Sequence, residues 1–142
     1  MRLQKQRRVR TPQAEAFAYT ADFSNIENWD PGVARSKKVG DEPVGAGTKF
    51  ELDVRFGGST IPMVYEINVY DPNQRVVLIG KGDTLDAIDE IRFRTEGDHT
   101  VIDYTADLNF HGWIRYVVPL MSPFLKRVGE KAVDGLVTAL DG

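Results

Sequence analysis

Few residues in this chain can do chemistry, and their spacing narrows the choice further. There is no cysteine, so thiolate catalysis, disulfides and Cys-based metal sites are excluded. The two histidines are isolated: His99 sits at a turn and His111 points outward at a strand end. With no second histidine or spaced carboxylate near either, no metal site is expected. Gly45-Ala46-Gly47 precedes a strand instead of a helix, which fails the context a dinucleotide-binding loop requires. No nucleophile-elbow or Ser/His/Asp pattern occurs. What remains is one aspartate and two tyrosines.

Asp89 lies in a run where apolar residues alternate with charged ones, and its phase matches the apolar set. Gly97-Asp98 reads as a two-residue hairpin turn with glycine first. Pairing outward from Glu96 and His99 sets Phe93 opposite Ile102, Ile91 opposite Tyr104, Asp89 opposite Ala106 and Ala87 opposite Leu108. Strand side chains alternate, so all eight share one face. Glu90, Arg92, Arg94, Asp103, Thr105, Asp107 and Asn109 take the other face, in water. An inward carboxylate among Ile91, Phe93 and Ala106 is costly to desolvate and needs a partner or a raised pKa. A raised pKa suits general acid/base work on an enolisable substrate, with Tyr104 or Tyr65 orienting a carbonyl. The plain alternative is a carboxylate that hydrogen-bonds a helix end or Tyr104 for structure alone. Asp89 and Tyr104 are the catalytic candidates.

The elements that must hold these groups are legible from pattern and punctuation. Residues 2–10 read as a first strand, basic at Arg2, Lys5, Arg7, Arg8 and Arg10, a composition that deters edge pairing. Thr11 is a plausible N-cap with Pro12 at the first helical position, and Ala14, Phe17 and Ala18 form the buried stripe. Asp22, Ser24 and Asn25 break this helix and restart a shorter one that Asp30-Pro31-Gly32 ends. A strand candidate covers 33–40. Phe50, Leu52, Val54 and Phe56 then alternate up to a Gly57-Gly58 turn, answered by Ile61, Met63, Tyr65, Ile67 and Val69. Pairing Phe56 with Ser59 again places the apolar residues on one face, which fixes the register. A strand follows near 75–81, with Val76 and Leu78 inward and Gly80 and Gly82 leaving room for a bulge or a close backbone approach. From Ile114 to Leu140 the apolar residues recur at three- and four-residue steps, an amphipathic helix interrupted or restarted at Pro119 and Pro123. The regular part from 123 to 140 is about 27 Å long, the span of a strand of about eight residues. The order β-α-α-β-β-β-β-β-β-α implies an α+β domain, one antiparallel sheet covered by helices.

With 142 residues and a hydrophobic share of 42 %, the chain fits one domain with a real core, residues 1–142. A net charge of −3 disfavours general nucleic-acid binding. No stretch approaches the ~18 apolar residues of a membrane span and the N-terminus lacks an apolar signal region, so a cytoplasmic protein is the default expectation.

This element order, with its punctuating residues, resembles the START-like (SRPBCC) superfamily and within it the polyketide cyclase/dehydrase group. The likeness covers essentially the whole chain. It rests on the Pro12-to-Phe17 helix start, the Asp22-Phe23-Ser24-Asn25 break, Asn28-Trp29-Asp30-Pro31, Val44-Gly45-Ala46-Gly47-Thr48 before a strand, and the strand His99-Thr100-Val101-Ile102-Asp103-Tyr104. The resemblance implies the helix-grip fold: a curved seven-stranded antiparallel sheet wrapped around a long C-terminal helix, two short helices after the first strand, and a deep apolar cavity between sheet and helix. Members bind lipids, sterols, polyketides and other hydrophobic molecules, and only some are enzymes; no cofactor is implied. The expected ligand wall is then Trp29, Phe50, Leu52, Met63, Tyr65, Ile67, Leu78, Asp89, Ile91, Phe93, Tyr104, Ala106, Leu108, Phe110, Trp113, Tyr116 and Met121, with Trp29 and Trp113 at the mouth. Arg115 could receive an anionic head group or stand in solvent. Three functions fit: carriage of a small hydrophobic ligand, a cyclase, aromatase or dehydratase in which Asp89 moves protons, or a protein-interaction module.

Overall fold

The computed structural model describes all residues, 1–142. The chain runs β1 (Arg2–Val9), α1 (Gln13–Ala21), a 3-10 helix (Phe23–Asn28), then β2 (Val33–Val39), β3 (Lys49–Phe56), β4 (Ser59–Asp71), β5 (Arg75–Gly82), β6 (Leu85–Glu96) and β7 (His99–Phe110). A second 3-10 helix (Gly112–Tyr116) leads into α2 (Val118–Asp141). All seven strands form one antiparallel sheet in the order β1-β7-β6-β5-β4-β3-β2, so the basic first strand is an edge, as its composition predicts. The fold is the expected helix grip, a curved antiparallel sheet with a long C-terminal helix and short helices after the first strand.

Both hairpins adopt the registers read from the sequence. Phe93 pairs with Ile102, Ile91 with Tyr104, Asp89 with Ala106 and Ala87 with Leu108. On β3 and β4, Val54 pairs with Ile61, Leu52 with Met63 and Phe50 with Tyr65. Gly57 and Gly97, at the two turns, have φ of +61° and +60°, a region glycine enters without strain. The solvent face of the sheet is laced with ion pairs, among them Arg75–Glu90 at 2.7 Å and Arg94–Asp103 at 2.8 Å.

The long helix does not restart at either proline. α2 is continuous from Val118 to Asp141: Pro119 falls in its first turn, where no intrahelical donor is needed, and Pro123 is carried inside. Thr11 does not cap α1 either; Pro12 occupies the N-cap without a side-chain bond. The Thr11 hydroxyl instead donates to the carbonyl of Leu140 at 2.8 Å, and the backbone N–H groups of Arg10 and Thr11 donate to the Asp141 carboxylate. Arg7 pairs with both Glu130 and Asp134, and Lys5 with Glu130 at 2.6 Å. The charges of β1 therefore hold α2 along the sheet edge. Gly135 marks the tightest approach of that helix, since a Cβ there would overlap the Trp29 carbonyl oxygen.

The concave face of the sheet is shared between two sets of helices. α1 and the first 3-10 helix pack one part of it: Phe17 meets Phe93 and Tyr70 with ring centroids 5.3 Å apart, and Phe23 meets Phe50, Tyr65 and Trp29. α2 covers the remainder, and there the packing leaves a hollow.

Candidate functional site

The hollow has a volume of about 440 Å³ and is lined mainly by hydrophobic side chains. β7 contributes Tyr104, Ala106, Leu108 and Phe110; β6 contributes Leu85 and Asp89; β3 and β4 contribute Leu52, Val54, Phe56 and Tyr65. Leu3 of β1, Ile26, and the segment from Asp30 to Val33 close one side. α2 forms the other wall with Phe124, Leu125, Val128, Ala132 and Val133. Arg55, Lys5 and Lys131 bring charge to the lining.

Asp89 is buried in this wall, 6 % exposed. Its Oδ2 accepts a hydrogen bond of 2.6 Å from the Tyr104 hydroxyl, while Oδ1 is buried and has no partner in the protein. Burial raises its pKa to about 7; the Tyr104 bond pulls the other way, and the Asp30 carboxylate adds to the rise. Both inward phenols are pushed above their ordinary value, chiefly by burial and secondarily by the charge of Asp89. Tyr65 owes its place to Gly80: a Cβ on that glycine would lie 2.6 Å from the Tyr65 ring, so the ring rests directly on the β5 backbone. The close approach expected at Gly80 is this contact.

Asp30 is the site residue that the sequence did not single out. It reads there as part of a helix-ending turn, and it does serve that turn, accepting a 2.7 Å bond from the Gly32 N–H. The same carboxyl also lines the cavity, where burial raises its pKa to about 6. Nothing in the spacing signals this, because the loop carrying Asp30 meets Asp89 only through the curvature of the sheet.

Of the residues expected to line a cavity, Leu52, Tyr65, Asp89, Tyr104, Ala106, Leu108 and Phe110 do so. Phe50, Met63, Ile67, Leu78, Ile91 and Phe93 are buried in the packed core, outside the hollow. Alternation identifies the inward face, but α1 and the first 3-10 helix fill part of that face with side chains. Trp29 is 3 % exposed and packs against Phe23 and Tyr104, so it is a core residue and not a mouth residue. Trp113 and Tyr116 are exposed on the second 3-10 helix, and Met121 packs half-buried against the core, none of them on the hollow. Arg115 stacks on the Tyr116 ring at 4.9 Å and donates to its hydroxyl, away from the cavity.

A grip of curved sheet on one helix around an apolar hollow defines a START-like protein. The chain belongs to the family described as polyketide cyclase/dehydrase and lipid transport, which it matches over residues 1–141. No curated protein matches it by sequence. Solved structures are similar throughout: a protein of Thermus thermophilus (TM-score 0.83, 17 % identity, 99 % of this chain and 97 % of that one) and the Zhui aromatase/cyclase of a Streptomyces species (0.80, 12 %, 99 % and 93 %). A START superfamily protein of Mycobacterium smegmatis also matches (0.73, 17 %, 99 % and 94 %). At these identities the likeness is one of fold.

Proposed function

We propose that this protein binds and carries a small, largely hydrophobic molecule between its sheet and α2. The observation that carries the reading is the hollow itself: about 440 Å³ of apolar-walled space falls within the roughly 300–1,000 Å³ range of small-molecule sites. Its polar features are few and convergent. The unpartnered Oδ1 of Asp89 donates to a ligand carbonyl when the acid is neutral and accepts from a hydroxyl or amine when it is ionised, and satisfying it removes a desolvation cost of about 1–3 kcal/mol. Tyr104 fixes the carboxyl from behind, and the Tyr65 phenol offers a second polar contact. Family membership supports the same class of ligand.

A second reading is favoured by one specific feature. A carboxyl with a pKa of about 7 can both take and return a proton near neutrality. On a ligand with an enolisable carbonyl, Asp89 would remove the α-proton and a phenol would stabilise the enolate oxygen, which is the start of an aldol cyclisation or a dehydration.

Native mass spectrometry of protein purified under mild conditions tests the first reading and sorts the second. Carriage predicts a bound molecule that is lost in Ala132→Phe, where a ring projects from α2 into the hollow. Bare protein in both would refute carriage. A captured molecule that is returned dehydrated or cyclised, and is returned unchanged by Asp89→Asn, would assign the enzyme.

A further inference from the structure

We propose that the second 3-10 helix and the first half of α2 form a docking face for an anionic lipid surface. The inference goes beyond the carriage reading, and of its residues only Phe124 and Lys131 also line the hollow. Trp113, Tyr116, Leu120 and Phe124 are 74 %, 71 %, 83 % and 58 % exposed, and they are the most exposed of the large apolar side chains on the molecule. They recur at steps of three and four residues, which in 3-10 and α-helical backbone places them along one side. The same stripe continues into Arg127 and Lys131, and Arg115 and Lys126 flank it. Four large apolar groups in line followed by two cations are unusual on a surface facing only water.

Charge argues for a lipid surface over a protein partner. The chain as a whole carries −3, yet no aspartate or glutamate occurs from Leu108 to Gly129. The acids of α2, Glu130, Asp134 and Asp141, all lie further along and are engaged by Lys5, Arg7 and Arg10 of the edge strand. Arg115, Lys126, Arg127 and Lys131 make no ion pair within the protein. Indole and phenol rings settle at the depth of lipid head groups, and free cations beside them are attracted to anionic ones. No helix is long and apolar enough to cross a membrane, so the contact is peripheral. Phe124 belongs both to this face and to the cavity lining, which puts the docked surface next to the hollow.

The test uses the full chain with vesicles of phosphatidylcholine alone or with about a third phosphatidylglycerol, read by co-sedimentation and tryptophan emission. Trp29 is buried, so a blue shift on binding reports Trp113. Expected are binding to the anionic vesicles only and loss of that binding in high salt. Lys126→Glu/Arg127→Glu should weaken it at least about tenfold, and Leu120→Asp should do likewise, each with an unchanged melting temperature. No binding, or equal binding to both vesicle types, would overturn the proposal. So would a stable dimer in analytical ultracentrifugation that Leu120→Asp dissociates, since a second copy would then own this face. Ligand occupancy is measured separately, so a protein that carries nothing and still docks leaves the proposal standing, and the converse leaves carriage standing.

Discussion

Asp89 keeps its proton up to about pH 7 in the folded chain, whereas an unfolded aspartate releases it near 4. Between those values the folded state binds more protons than the unfolded one, so stability falls as pH rises. The contribution is complete below the unfolded value and gone above the folded one. Three units at about 1.4 kcal/mol each set a ceiling of ~4 kcal/mol. Asp30, at about 6, acts in the same direction. Glu90, held low by the Arg75 bond, and Asp107, held low by Arg2, have the opposite sign: their support is present above the unfolded value and lost on acidification. Glu130 and Asp141 are lowered as well, so the opposed signs predict a stability maximum in mild acid, which melting temperatures across about pH 4 to 8 would check. Asp89→Asn, which can still accept the Tyr104 bond, should raise the melting temperature at pH 8 and flatten its decline between pH 5 and 8. An undiminished slope in the variant would assign the proton to another group. Asp89 was legible as an inward carboxylate because the hairpin turn fixes its phase. Its nearness to Asp30 was not, since a strand and a loop brought together by curvature leave no mark in spacing.

At the scale of elements, the strands were the easiest to read. Each hairpin combines a glycine turn with two alternating runs, and a slip of one residue would turn every apolar group to water. The helices were harder, because their ends depend on tertiary partners. Thr11 has the chemistry of a cap, but the C-terminus of α2 competes for its hydroxyl and wins it. Pro123 reads as a break, yet the helix carries it within a continuous run. Gly135 shows the same dependence in a form that can be measured. Glycine inside a helix costs about 1 kcal/mol relative to alanine, so Gly135→Ala would stabilise a helix standing alone. Here the added methyl collides with a backbone oxygen in a buried turn, and the variant should be destabilised despite its better propensity. Chemical denaturation gives the sign; a gain in stability would mean that α2 rides clear of the Trp29 carbonyl.

The whole molecule divides its charge in a way that no single element reveals. The basic residues of β1 read as an edge guarded against pairing, and they are that, but they also seat the acidic half of α2. Periodicity marked which face of the sheet is inward, and it could not say which part of that face α1 fills and which part stays open. That split decides why Phe50 and Phe93 are core while Leu108 and Phe110 line a hollow. The grip on α2 is correspondingly uneven. From residue 130 onward the helix is fastened by ion pairs and by the Asp141 carboxylate on the β1 end. From 118 to 128 it has hydrophobic contacts only and two prolines that donate no backbone bond. Hydrogen exchange followed by mass spectrometry should find the amides of 120–128 opening faster than those of 131–140, and equal protection would contradict this division.

Such a helix behaves as a beam bolted at one end. If the hollow carries a guest as proposed, its entry would displace the unfastened half, where Phe124, Leu125 and Val128 stand on the hollow, and leave the half held by Lys5 and Arg7 in place.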